Sequence, residues 1–196
     1  MQNWHNNCLS VHASEPRQRL RLAVQASKLC VVQVVAGAVY APLTDQMFSA
    51  CRGGGAFCNS EPLQNSGEQQ LTQALVATEI GTFRDTESVD AIFERTKRVS
   101  QAARSLRCAG SCALNMCNVA AGRLDGFYEI GFGGCWDVAA ASIIVQEAGG
   151  RVLDPAGGAF DLMACRVLVG TPNVAEQLAE VLKACPVSAA EPQPPQ

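Results

Sequence analysis

Two corners of the sequence carry residues that could do chemistry. One is Gly110-Ser111-Cys112, and the other is Gly133-Gly134-Cys135-Trp136-Asp137; each runs into an apolar stretch. Helix starts of this kind offer free backbone N–H groups and a positive dipole end, so they suit anionic or hydroxyl-bearing ligands. Asp137 has two readings there, a helix cap or a carboxylate that ligates a divalent cation. Residue type alone favours the cap. A third run, Arg52-Gly53-Gly54-Gly55-Ala56-Phe57, imitates a phosphate-cradling loop. It lacks the Lys-Ser/Thr pair, and no apolar helical pattern follows, so it reads as a tight turn.

Several classes of function are disfavoured by composition. The 196 residues are 48% hydrophobic with a formal net charge of -3, which fits one globular domain and a small-molecule partner. No run rich in Lys and Arg exists to bind a nucleic-acid backbone. The longest apolar run, Leu29 to Leu43, is interrupted by Gln33 and closed by Pro42, so no membrane span is expected. The ten cysteines lie in apolar runs without regular spacing, which favours a reducing compartment over a disulfide framework. Cys108, Cys112 and Cys117 read as small buried core residues. No Cys-x-x-Cys pair occurs, and His5 and His12 lie in a polar N-terminal arm, so zinc is disfavoured. The compartment expected is the cytoplasm, with organelle targeting as the alternative, because Arg17, Arg19, Arg21 and Lys28 faintly resemble a transit segment.

The elements that must position these corners alternate between strand and helix. Leu29 to Tyr40 and Gln46 to Cys51 read as a hairpin. Ala74 to Thr78 reads as a strand, followed by a helix over Thr86 to Ala103 on the spacing of Val89, Ile92, Phe93 and Val99. Leu106 to Ala109 is the next strand, and Ser111 caps a helix that runs to Ala121. Phe127 to Ile130 leads through Gly131 to Gly134 into a helix over Trp136 to Ala148, stopped by Gly149-Gly150. Arg151 to Leu153, Val167 to Val169 and a helix over Val174 to Leu182 complete the pattern. The rhythm predicts a mixed α/β sheet with helices on both faces, beside an antiparallel layer. Four segments are expected: an N-terminal arm over 1–28, the antiparallel layer over 29–72, the α/β domain over 73–185, and a disordered Pro-rich tail over 186–196.

The run from Glu129-Ile130-Gly131 through Cys135-Trp136-Asp137-Val138-Ala139-Ala140 to Glu147-Ala148-Gly149-Gly150 resembles a signature of the inositol monophosphatase family of metal-dependent phosphatases. Gly55-Ala56-Phe57-Cys58-Asn59, Thr78-Glu79-Ile80-Gly81 and Asp161-Leu162-Met163 extend the similarity in order, across roughly residues 35 to 184. The resemblance implies a layered α/β sandwich of the sugar-phosphatase type, hydrolysis of inositol 1-phosphate, Mg2+ as cofactor and a homodimer. Position by position, Asp137 matches a magnesium ligand, and Glu129 matches the acid that hydrogen-bonds an inositol hydroxyl. Gly110, Ser111 and Cys112 match the turn that contacts the ring. Trp136 is expected to wall the site, and Glu147 to position the Gly149-Gly150 turn.

Two departures qualify the activity. One residue more than the family pattern lies between Glu129 and Asp137, in Phe132-Gly133-Gly134, which is expected to rotate Glu129 away from the ring. The family's Asp-Pro-x-Asp-Gly-Thr motif occurs nowhere in the sequence, so no water-activating catalytic residue can be assigned. The chain therefore reads as a fragment, and an inactive relative that keeps the ring-binding surface or pairs with another subunit stands beside the enzyme reading. Histidinol-phosphate and nucleotide bisphosphate phosphatases, which share the fold, are the further alternatives.

Overall fold

The computed structural model describes residues 33–194. Residues 1–28 and the start of the expected first strand lie outside them.

Alternating apolar side chains build two sheets. The first is antiparallel, with β1 (Ala36–Ala41), β2 (Gln46–Cys51), β3 (Ala56–Cys58) and β4 (Glu61–Pro62) in sequential order. The second has five strands in the order β6-β5-β7-β9-β8, comprising β5 (Leu75–Thr78), β6 (Ser105–Arg107), β7 (Gly126–Ile130), β8 (Arg151–Leu153) and β9 (Arg166–Gly170). β5 is parallel to β6 and β7, and β9 is antiparallel to β7 and β8. The sheet is therefore mixed, as the alternating pattern predicts.

Four helices among the described residues fill the layers: α1 (Thr86–Ala102), α2 (Cys112–Ala120), α3 (Ala139–Glu147) and α4 (Pro172–Lys183). The twofold alternation along β7 decides which helices meet which face. Phe127 joins Met116, Val119, Ile143, Ile144, Phe48 and Ala50, so α2 and α3 are packed between the two sheets. Tyr128 points the other way, into a cluster with Val76, Val99, Leu168, Val174 and Leu178 that seats α1 and α4. Glu129 shares the parity of Phe127 and so belongs to the α2 side.

The contact between the antiparallel sheet and α3 is close enough to require a glycine. A Cβ on Gly37 would lie 2.6 Å from the Ala140 carbonyl oxygen. Glu147, expected to serve the Gly149-Gly150 turn, instead accepts hydrogen bonds from Gly53 N and Gly55 N, both at 2.9 Å. The glycine-rich run after β2 is thus a turn whose amides are held by the protein's own carboxylate.

Four further expectations change. The helix expected from Trp136 divides into a 3-10 turn over Cys135–Asp137 and α3 from Ala139, because the Asp137 carboxylate folds back to Gly134 N. The tail expected to be disordered is packed from Pro186 to Pro192: Ser188 and Glu191 are buried, Glu191 pairs with buried Arg95, and Arg166 Nη1 donates to Pro192 O at 2.8 Å. A buried cation needs a partner, and the tail supplies it. Cys108 is exposed rather than core, while Cys117 is buried as expected. Among the described residues seven cysteines are free, and Cys51 is disulfide-bonded, a departure from an all-thiol reading. No helix among the described residues is long and apolar enough to cross a membrane.

Candidate functional site

The C-terminal ends of β5 and β6, the far half of β7 and the starts of α2 and the 3-10 turn bring together the residues singled out by sequence. Gly110 takes φ +88, a left-handed conformation that glycine adopts without steric cost and that aims the chain into α2. Ser111 then caps that helix, its hydroxyl oxygen accepting from Leu114 N at 3.3 Å. Cys112 is the first residue of α2 and is half-buried.

Glu129 lies inside β7, held opposite Val167 of β9. It is buried, and its Oε2 has no hydrogen-bond partner. Burial pushes the Glu129 carboxyl up to about 7; the Cys112 thiol beside it works against that rise, and the charges of Glu79 and Asp137 add to it. Cys112 is pushed strongly upward in turn, first by burial and then by the negative charge of Glu129. Glu129 and Cys112 lie close enough for each to influence the other's protonation, and the extra residue before Asp137 falls within the glycine loop over 131–134.

Asp137 sits in the 3-10 turn with Oδ2 accepting from Gly134 N at 3.2 Å. It therefore does what a cap does, while its charge still reaches Cys112 and Glu129. Trp136 is 74% exposed, a rim more than a wall.

Glu79 is the functional candidate that the sequence reading did not assign. It follows β5, the strand flanked by two parallel neighbours, and its Oε1 accepts from Ala109 N at 2.8 Å, Gly110 N at 2.6 Å and Asn115 Nδ2 at 2.8 Å. The available signal was its place, a carboxylate at the carboxyl end of a central parallel strand.

The donor set falls short of what a divalent cation needs. Among the described residues no group of three or more His, Cys, Asp or Glu side chains converges to hold a metal ion. Glu79 commits Oε1 to two amides and Asn115, leaving its Oε2, Glu129 Oε2 and the free side of Asp137 as acceptors. Magnesium demands near-octahedral oxygen coordination. The residues present do not fit a complete magnesium site.

Two sheets enclosing one helix pair, with acids gathered at the strand ends, define a layered α/β protein of the sugar-phosphatase class. Residues 29–186 match the inositol monophosphatase family, to which the chain belongs; it is a family of metal-dependent phosphatases. The chain is 59% identical over 133 residues to inositol monophosphatase 2 of Solanum lycopersicum, covering 68% of this chain and 50% of that protein. It is 44% identical over 153 residues to inositol monophosphatase 1 of Bos taurus, covering 77% and 55%. Among solved structures, the inositol monophosphatase of Anabaena (Nostoc) sp. PCC 7120 superposes with a TM-score of 0.73 at 29% identity, covering 78% of this chain and 61% of that one. The extragenic suppressor protein suhB of Bartonella henselae gives 0.71 at 33% identity, covering 78% and 58%. The chain spans about half the length of the curated relatives it matches.

Proposed function

We propose that this chain serves the hydrolysis of inositol monophosphate and contributes the part of the site that holds the cyclitol ring. The observation that carries this reading is the unpartnered Oε2 of buried Glu129 beside Cys112, at the start of α2. A buried acceptor without a partner is costly, and a ring hydroxyl would satisfy it. With its carboxyl near half-protonation at neutral pH, Glu129 can accept from one hydroxyl or donate to another. The Gly110-Ser111-Cys112 turn supplies backbone and hydroxyl partners, and Asp137 is the one magnesium ligand we assign. A homodimer is part of the proposal, tested by light scattering.

A second reading, binding without turnover by this polypeptide, is favoured by a specific observation: the described residues hold no three-ligand cluster, and the sequence has no Asp-Pro-x-Asp-Gly-Thr motif. The two are separated by measuring phosphate release and calorimetric binding with inositol 1-phosphate and Mg2+. Turnover abolished by Asp137→Asn supports hydrolysis. Binding without turnover, weakened by Glu129→Ala, supports the second reading, and no binding by the folded chain sinks both.

A further inference from the structure

We infer that Glu79 is a positioning residue, one that fixes the Gly110-Ser111-Cys112 turn in the conformation that meets the cyclitol ring. This rests on the proposed function for the identity of the ring and on geometry for everything else.

One carboxylate oxygen gathers three donors from two segments. Oε1 takes the consecutive amides of Ala109 and Gly110 and the side-chain amide of Asn115, on the first turn of α2. Consecutive amides pointing at one anion form a concave nest, and charge-assisted hydrogen bonds of this sort are about twice as strong as neutral ones. The nest lies next to the N-terminus of α2, where negative charge is favoured by the helix dipole. Glu79 therefore ties the end of β5 to the loop after β6 and to α2 at one point.

The turn has little else to hold it. Cys108, Ala109 and Gly110 are exposed, and Gly110 carries a φ of +88 that the chain is free to leave when unrestrained. Asn115 is fully buried, and Glu79 is the partner of its amide group, while its Oδ1 has none. Loss of Glu79 would leave the Ala109 and Gly110 amides to water and the buried Asn115 amide without its partner, so release of the turn is read against a core variant of equal stability. That separates positioning from bulk stability. An error of about 1 Å in such a turn is enough to weaken ligand contacts severely.

The test uses Glu79→Ala and Glu79→Gln in the full chain. In the alanine variant, hydrogen exchange at the Ala109 and Gly110 amides is expected to speed up by at least about tenfold, and inositol 1-phosphate affinity, by NMR titration, to fall by about tenfold, equivalent to roughly 1.4 kcal/mol. Glutamine, whose Oε1 can still accept, should restore affinity to within about threefold. A core variant of matched thermal midpoint, Val99→Ala, should leave both readouts unchanged. Unaltered exchange at both amides overturns the inference. Faster exchange with unchanged affinity overturns the role toward the ring. If the unsubstituted chain does not bind inositol 1-phosphate, the proposed function fails instead, and the exchange arm still decides whether Glu79 fixes the turn.

Discussion

Arg95 and Glu191 form an ion pair almost closed to water, with side-chain exposures of 3% and 0%. Arg95 Nη1 also donates to Glu191 Oε2 at 3.1 Å and to Pro186 O at 2.8 Å, so a residue on α1 holds the C-terminal tail at two places. Glu191 closes the loop by accepting from Ser188 N at 2.9 Å.

Breaking this pair on one side should destabilise strongly, because the surviving charge stays buried. Glu191→Ala is expected to cost about 3–5 kcal/mol in urea unfolding. Replacing both partners with apolar residues, Arg95→Met with Glu191→Leu, should recover most of that loss. A single variant within 1 kcal/mol of the parent, on the order of a surface pair, would show that the tail is not held as described.

Glu129 should make stability fall as pH rises. Its carboxyl ordinarily titrates at 4.5 and is raised to about 7 in the folded chain. The folded state therefore holds the proton more tightly than the unfolded state does. The contribution is complete below about pH 4.5 and is lost as pH climbs through 7, a span on the order of 3 kcal/mol. Glu129→Gln should flatten this slope and be the more stable chain at pH 8. Denaturant midpoints measured from pH 5 to pH 8 check it, and parallel curves for the two proteins would refute it.

How much of this was legible in the sequence depends on the range of the interaction. Helical spacing of Val89, Ile92 and Val99, and the cap residue Ser111, are local signals, and α1 and α2 form where those signals put them. The parity that sends Phe127 and Glu129 to one face and Tyr128 to the other is local too. The tail departs from expectation because Pro-rich composition speaks for the isolated segment, whereas its packing comes from Arg95 and Arg166, 96 and 26 residues away in the chain. Glu79 escapes local pattern for a similar reason: its donors lie 30 to 36 residues on. Residue type leaves Asp137 as either cap or ligand, and the return of its carboxylate to Gly134 N shows that capping is already built in.

Glu147 should behave as a clamp between layers. Its two oxygens hold Gly53 N and Gly55 N, joining the end of α3 to the turn after β2. Glu147→Ala should cost about 1–3 kcal/mol, with faster exchange of those two amides. Gly37→Ala acts at the same interface by a different cause: its Cβ would meet Ala140 O at 2.6 Å, and overpacking of this kind costs about 1–3 kcal/mol. The sites share α3, so the double variant should depart from additivity by 0.5 kcal/mol or more, on the order seen for coupled neighbours. Strict additivity would mean that the two contacts do not report on one interface.

The thiols flanking the Gly110 turn should differ sharply in reactivity. Cys108 is exposed, whereas Cys112 is half-buried and pushed strongly upward, by burial first and then by the charge of Glu129. Alkylation proceeds through the thiolate, so at pH 8 iodoacetamide should modify Cys108 at least about tenfold faster than Cys112. Glu129→Gln removes the second cause and leaves the first. The variant should speed labelling of Cys112 while leaving Cys108 unchanged, as followed by peptide mass spectrometry. Equal labelling of Cys112 in both proteins would mean that its thiol does not feel the Glu129 carboxylate, and the pairing of Cys112 with Glu129 at the proposed ring site would be lost.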